Sequence, residues 1–571
     1  IDRFAMVNSH PREESLKKWR AGLNDVSAPL TSPFTPLDLQ QITVHEQVLR
    51  ALARHAEKDE HSTAIIEAHT DKRITHRELR DKSLRMASFL VKKGFSKDDV
   101  ITLALPNSID YMISAIGSMT AGGCIDAMLT TFGDYEMRGQ FTRSGPTIII
   151  TLESLLEKVM RTSEQLKVKA YLCVRDLSTV GSLPDGVFDF AEAFAEEPIG
   201  QPIPVCLRDS AQVCYSSGTT GECKGVLHSH LAFTNALYQW QRHWELELYP
   251  AIGVSAVDWY TEYQLLTLPS CHLFGYGPIL LYLIAGAPIV LLRQFDEEVY
   301  LRMIEKYRPR TLNLIPPILN FLSKSEKAKA ADLSSLQMIL TASSASGDSV
   351  CEELLQREKH LKYIVQAYGM TELCGFSHLP LVIHRNVYES IGAIAPFCQQ
   401  RIMNTITGEP CAVGEHGELW VKSEVRMTCY RNKPEATAEI MDADGFIHSG
   451  DMAYMDADGL VYITGRIKEY IKVNAVTVSP ISIENLLLSH PEIADAAIVG
   501  VPDAERGELI SAVIVRKDDS LSEEDVRSFV NDRMVHYSHI TGPVYFVESI
   551  PRSAPGKLQR RKLLAAVTGS C

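Results

Sequence analysis

The stretch 211–230, AQVCYSSGTTGECKGVLHSH, limits most narrowly what this chain can fold into. Its centre is Ser216-Ser217-Gly218-Thr219-Thr220-Gly221, followed by Lys224 and Gly225. Upstream, Ala211, Val213 and Tyr215 alternate as a half-buried strand does. Downstream, Phe233, Leu237, Trp240 and Trp244 fall on one face of a helix. The pattern predicts a loop that joins a strand to a helix. Glycine lets backbone N–H groups approach a ligand closely. The hydroxyls add donors and Lys224 adds a mobile positive charge. That combination suits a polyphosphate. It is not a Walker loop, because Cys223-Lys224-Gly225 stands where that register needs Gly-Lys-Ser/Thr.

The elements around this loop alternate between strand and helix. Thr43 to Glu46 and Thr75 to Glu78 read as capping boxes that open helices. The second helix ends near Gly94. Residues 100–105 form a short apolar strand stopped by Pro106, a helix runs from about Ser108 to Gly122, and TIIIT at 147–151 is another strand. Such alternation predicts an α/β fold with parallel-rich sheets covered by helices. The apolar run 279–292 contains Gly286 and Pro288 and is too short to span a membrane, so it reads as buried helix then strand. Met-Asp-Ala-Asp-Gly occurs at 441–445 and 455–459, which predicts tight turns in a β-meander. Residues 481–489 read as a helix, 496–499 and 510–515 as strands, Ser522 to Asp525 as a cap, and 544–547 as a last strand.

Among 571 residues the net charge is −14, which argues against a broad nucleic-acid surface. The 12 cysteines include no CxxC pair, so reduced thiols in a cytosolic or similar compartment are expected. Residues 1–35 lack an apolar signal core, and Gly569-Ser570-Cys571 is not an SKL-type address. The expected location is cytoplasmic, with mitochondrion and peroxisome left open. Oligomeric state is not legible.

Several later motifs carry chemistry. Residues 266–277 contain Pro269-Ser-Cys-His272-Leu-Phe-Gly and read as strand then turn. Thr341-Ala-Ser-Ser-Ala345 follows a strand at 338–340. Gln366-Ala-Tyr-Gly-Met-Thr-Glu372 offers a ring for a purine, a glycine for close approach, a hydroxyl for phosphate and a carboxylate for Mg²⁺. His448-Ser-Gly-Asp451 lies between the two Asp-Gly turns, and one carboxylate can accept from two adjacent hydroxyls. Arg466 and Lys468 lie in GRIKEYIKVNAVTVSP, and Pro551 to Lys557 ends in Gly-Lys. Taken singly, most of these are turns, caps or solvated basic residues.

In this order, over roughly residues 45–565, they resemble the adenylate-forming superfamily of acyl- and aryl-CoA synthetases, luciferases and nonribosomal adenylation domains. The resemblance implies an N-terminal extension at 1–40 and a large adenylation domain at 41–466 with a β-rich subdomain. It further implies a small mobile C-terminal α+β domain at 467–571. It implies that ATP is bound by Ser216, Ser217, Gly218, Thr219, Thr220, Gly221, Lys224, Gln366, Ala367, Tyr368, Gly369, Asp451 and Arg466. Lys557, His272, Thr371 and Glu372 would be catalytic, with Glu372 holding Mg²⁺ and His272 orienting or gating rather than transferring a proton. Lys468 would be the hinge, and Lys472, Asn474 and Ala475 would line a CoA channel. His272, Leu273, Ser343, Ser344 and Cys374 would border the acyl pocket.

The implied reaction joins a small-molecule carboxylic acid to ATP and then CoA. It gives acyl-CoA, AMP and pyrophosphate. Two departures matter. Cys223 replaces the usual proline, and Ala475 replaces a glycine beside the pantetheine channel, where a β-carbon penalises positive φ. Two alternatives follow: transfer to a non-CoA acceptor, or an inactive acyl- or nucleotide-binding member.

Overall fold

The computed structural model describes residues 14–97, 99–175, 182–216, 224–344, 346–382, 387–473, 476–503, 506–553 and 556–568. The α/β expectation holds, with a large N-terminal part and a small C-terminal one. A seven-stranded sheet runs in the order Lys224–Ser229, Ser210–Ser216, Cys124–Ala127, Val100–Ala104, Ile148–Leu152, Ala170–Val174 and Val187–Asp189. It is parallel throughout, except that Lys224–Ser229 is antiparallel to Ser210–Ser216. Its central strands Val100–Ala104 and Ile148–Leu152 are apolar runs broken only by one threonine each, as burial on both faces requires. The helix Ile109–Thr120, capped by Ser108, is buried along almost its whole length. Both predicted capping boxes are present, at Thr43/Glu46 on Val44–Lys58 and at Thr75/Glu78 on His76–Lys92.

A second layer pairs Gln264–Leu266, Ile289–Leu291 and Thr63–Glu67 in parallel, with Arg73–Thr75 antiparallel at the edge. Thr311–Leu314, Met338–Thr341 and Tyr363–Gln366 form a further parallel sheet. The antiparallel sheet Leu30–Thr31, Cys398–Met403, Gly417–Ser423, Phe446–Met455, Val461–Arg466 is the predicted meander. Described residues ahead of 41 are integrated here. Leu30–Thr31 pairs with Cys398–Met403, and the Trp19 indole packs against the turn at Gly459, where an added Cβ would lie 2.2 Å from the ring.

The small C-terminal unit is a hairpin, Ile493–Asp503 with Gly507–Arg516, flanked by Ile471–Val473, Val476–Val478 and Val544–Phe546. Helices Pro480–Leu488, Glu523–Asn531 and Arg560–Thr568 cover it, the second opened by the predicted Ser522/Asp525 box. It touches the large domain at definite places. Asn320 Nδ2 donates to the Ala494 carbonyl at 3.4 Å, and a Cβ at Gly556 would meet Ile315 at 3.0 Å and Pro317 at 3.2 Å. Among the described residues no helix is long and apolar enough to cross a membrane.

Two expectations are corrected. The hydroxyl-rich loop does not join a strand to a helix. It closes an antiparallel hairpin, because Gly225, Val226 and His228 bury themselves as a second strand before Ser229 caps the helix His230–His243. Residues 266–277 are strand then helix, not strand then turn. Helix Leu273–Ala285 starts at His272 and carries Gly275, Gly277 and Pro278 inside it. Gly275 is required there, since a Cβ would lie 2.0 Å from the Pro269 carbonyl oxygen.

Candidate active site

The site is built at the edges of three sheets. The meander brings Asp451 opposite Arg466 across a hairpin, and Arg466 Nε lies 3.0 Å from Asp451 Oδ1. Gly450 takes φ +70° and donates its N–H to Glu418 at 2.9 Å, which turns Asp451 inward. The Asp451 amide donates to Ser449 Oγ at 3.0 Å. From a second sheet, the Tyr368 hydroxyl donates to Asp451 Oδ2 at 2.5 Å. Asp451 is only 3% exposed. Burial pushes its carboxyl above the usual range, and the Arg466 charge pulls it back. A carboxylate so placed, beside an aromatic ring and a guanidinium, suits a ligand that brings hydroxyls and an anion.

The turn after Tyr368 holds the next group. Thr371–Leu373 form one turn of 3-10 helix, and Cys374 follows at φ +54°. Glu372 is buried, and its Oε1 accepts from the Tyr430 hydroxyl at 2.7 Å. Tyr430 was not singled out in the sequence, yet it joins the pieces. Its ring lies 4.8 Å from Lys224 Nζ. The segment 428–431 runs beside Lys224–Ser229, with Arg431 N–H donating to the Gly225 carbonyl at 2.7 Å. Buried His228 was missed as well. Burial drops it to about 4, so it is neutral, and its Nε2–H donates to the Thr371 carbonyl at 2.6 Å. The hairpin that carries the glycine loop is thereby locked to the Tyr368–Glu372 turn. The only signal for either residue was an aromatic or imidazole at a buried strand position, which is usually plain core.

Lys557 arrives from the small domain on the loop between the Arg552 and Leu558 bridge. Its N–H donates to Ser553 Oγ at 3.1 Å. Burial, then the Arg466 charge, lowers its ammonium from the ordinary lysine value, while Asp451, Glu372 and Glu469 oppose that. His272 faces the same charge. Burial and Lys557 take it down to about 4, and its Nε2 is buried without a partner. Ser344 Oγ is likewise buried and unpartnered, and Ser343 holds φ +87°. Leu273 starts the helix after His272, and Cys374 is buried nearby in sequence to Glu372. Phe274 stacks on Trp240 at 5.9 Å, and Phe376 meets Trp240 edge-on at 4.7 Å, so aromatic rings back this region.

Other sequence-predicted positions stand apart. The Gln366 amide is occupied within the protein, donating to the Tyr388 carbonyl and accepting from Ser346 N–H at 3.2 Å. Ala367 N–H donates to Thr341 O at 2.9 Å. At Gly369 a Cβ would lie 1.9 Å from the Gly375 oxygen, so the room the glycine gives is taken by the neighbouring strand. Lys468 is exposed in the 3-10 turn Ile467–Glu469. Lys472 is exposed on Ile471–Val473, its N–H held by Glu508 at 2.7 Å. Ser217, Gly218, Thr219, Thr220, Gly221, Asn474 and Ala475 lie outside the described residues. Among the described residues no group of three His, Cys, Asp or Glu could hold a metal ion. A divalent ion here would rest on the Glu372 carboxylate and on ligand oxygens, a donor set that suits Mg²⁺.

This fold and this gathering of residues define an adenylate-forming enzyme. The family model for AMP-binding enzymes matches residues 52–431, and that for the AMP-binding enzyme C-terminal domain matches 482–557, so the chain belongs to this ATP- and nucleotide-binding ligase family. It is 32% identical over 529 residues to acyl-CoA synthetase 7 of Caenorhabditis elegans, covering 92% of this chain and 96% of that one. It is 33% identical over 517 residues to probable CoA ligase CCL5 of Humulus lupulus, covering 88% and 90%. Among solved structures, ATP-bound MatB from Rhodopseudomonas palustris superposes with a TM-score of 0.80 at 22% identity, covering 92% of this chain and 99% of that one.

Proposed function

We propose that this protein is an AMP-forming acid–thiol ligase. It joins a carboxylate to the α-phosphorus of ATP, releasing pyrophosphate, and then passes the acyl group to the CoA thiol, releasing AMP. The observation that carries the reading is the convergence of Tyr368, Asp451 and Arg466 with Glu372 and with Lys557 from the other domain. A carboxylate attacking a phosphate brings negative oxygens together, so the reaction needs cations and orientation more than a general base. Lys557 neutralises the charge that develops on the α-phosphate. Glu372 would hold Mg²⁺, which would supply further neutralisation of the phosphate charge. Ser216, Lys224 and the loop between them grip the leaving β- and γ-phosphates.

Asp451 and Arg466 hold the ribose, and the Tyr368 ring lies against adenine, which turns binding into orientation. Neutral His272 orients the acid carboxylate. The domains at 41–466 and 467–571 then rotate about Lys468, withdrawing Lys557 and opening a thiol path past Lys472, Asn474 and Ala475. Names of the relatives, acyl-CoA synthetase and CoA ligase, support CoA as the acyl acceptor.

Pyrophosphate release across short, medium, long and aromatic acids, followed by thioester detection with CoA, tests the reading. AMP release without any thioester would favour transfer to another acceptor, as the methyl of Ala475 would suggest. Lys557→Ala is expected to abolish pyrophosphate release while a fluorescent ATP analogue still binds. Unchanged release would refute the role of Lys557.

A further inference from the structure

Arg560 opens the helix Arg560–Thr568, three residues after Lys557. Its side chain is 15% exposed and every arm is engaged. It donates to both Glu484 oxygens, Nη2 at 2.9 Å from Oε2, and Nη1 also donates to the Ile498 carbonyl at 2.7 Å. Nε donates to Glu469 Oε2 at 3.1 Å. Glu484 and Ile498 belong to the small domain's own helix and hairpin. Glu469 ends the turn that carries Lys468. One guanidinium therefore ties the stretch behind Lys557 to the segment that connects the two domains.

The two contacts do different jobs. The bidentate grip on Glu484 and the carbonyl bond are enough to seat Arg560 in the small domain. The bond to Glu469 restrains a carboxylate whose field reaches Lys557, Arg466 and Asp451. Its side chain is only partly buried, at 36% exposed, and once released it would be drawn toward the ammonium of Lys557 or the guanidinium of Arg466, whose positive charges it already favours.

Resting on the function proposed above, we propose that Arg560 is a positioning residue for adenylate formation: by holding Glu469 it keeps Lys557 and Arg466 available to the nucleotide. Glu469 is thus a restrained competitor for the cations that the phosphates need.

The test is a double-mutant cycle on the full chain, reading initial rates of pyrophosphate release and melting temperature. Arg560→Met is expected to lower kcat at least tenfold and to raise the KM for ATP. Glu469→Gln, added to Arg560→Met, is expected to recover at least fivefold of that loss, because the competitor is neutralised. A merely structural arginine would recover melting temperature and rate together, by relief of the Glu469 and Glu484 charges left behind, whereas a positioning arginine recovers kcat between variants that melt alike. Where Arg560→Met fails to fold, the same recovery is read in Arg560→Lys, which keeps the Glu484 pair but loses the fork. No recovery in a double variant that melts with the wild type would overturn the proposal and leave acid activation standing. A wild-type enzyme that releases no pyrophosphate with any acid would sink both.

Discussion

Asp451 draws on three strands and two sheets for its neighbours, and the chemistry assigned to it is concentrated in one carboxylate. Asp451→Asn keeps the shape and removes the charge, leaving Arg466 without its counterion. Hydrogen bonds to a charged group are worth about 1.5–3 kcal/mol, so kcat/KM for ATP should fall on the order of 10- to 100-fold in a pyrophosphate-release assay. An unchanged value would place the ribose elsewhere. Tyr368→Phe keeps the ring and loses only the 2.5 Å bond to Asp451, so a smaller loss is expected. Asp451 and Tyr368 were legible in the sequence because each sits in a short ordered motif. Tyr430 and His228 were not. Their value lies in where their polar ends arrive, at Glu372 and at the Thr371 carbonyl, and those partners lie 58 and 143 residues away.

Among the elements, the two hairpins decide most. Helix starts were readable because a cap is local: Thr75 and Glu78 satisfy each other's turn within four residues. The strand Lys224–Ser229 was hidden because its six residues are bounded by glycine and a serine cap, and its outer partner is the segment 428–431. Its consequence is chemical. A strand, and not a helix N-terminus, follows the glycine-rich stretch, so the phosphate grip proposed for it would draw on hydroxyls and on the charge of Lys224. The hairpin Tyr368–Met370 with Gly375–Leu379 supplies the test at this scale. Gly369→Ala puts a methyl 1.9 Å from a backbone oxygen that has no rotamer to escape into. Pyrophosphate release should fall below detection and the melting temperature should drop, whereas Ala367→Gly should do neither to that extent. A fully active Gly369→Ala enzyme would refute the packing of these strands.

At the scale of the molecule, the core is laced with neutral histidines. Burial lowers His45, His76, His228 and His378 to about 4 and His230 to about 3. Unfolding restores them to about 6.5, so the unfolded chain binds protons first as pH falls. Their contribution is fully present above pH 6.5 and is lost as pH descends toward 4, by about 1.4 kcal/mol per pH unit for each histidine. Asp348, raised to about 6 by burial and by Glu389 and Glu352, titrates in the opposite sense, as do Asp110, Asp126, Glu262 and Asp451, all raised by burial, but they are fewer than the lowered histidines, which also include His55 and His272. The urea midpoint should therefore fall between pH 7.5 and 5.5, and a flat midpoint would contradict the burial of this set.

Periodicity, caps and ordered motifs were enough to determine from the sequence alone an α/β chain with a meander and a small final unit, and its family resemblance. Each of those signals acts over a few residues. Only the tertiary structure decided that Lys557 is buried within reach of the charges at 372, 451 and 466, that the strands flanking the glycine loop pair as a hairpin, and that Arg560 ties Glu469 to the stretch behind Lys557. Those facts depend on distances between pieces up to hundreds of residues apart, which packing sets and local pattern does not encode.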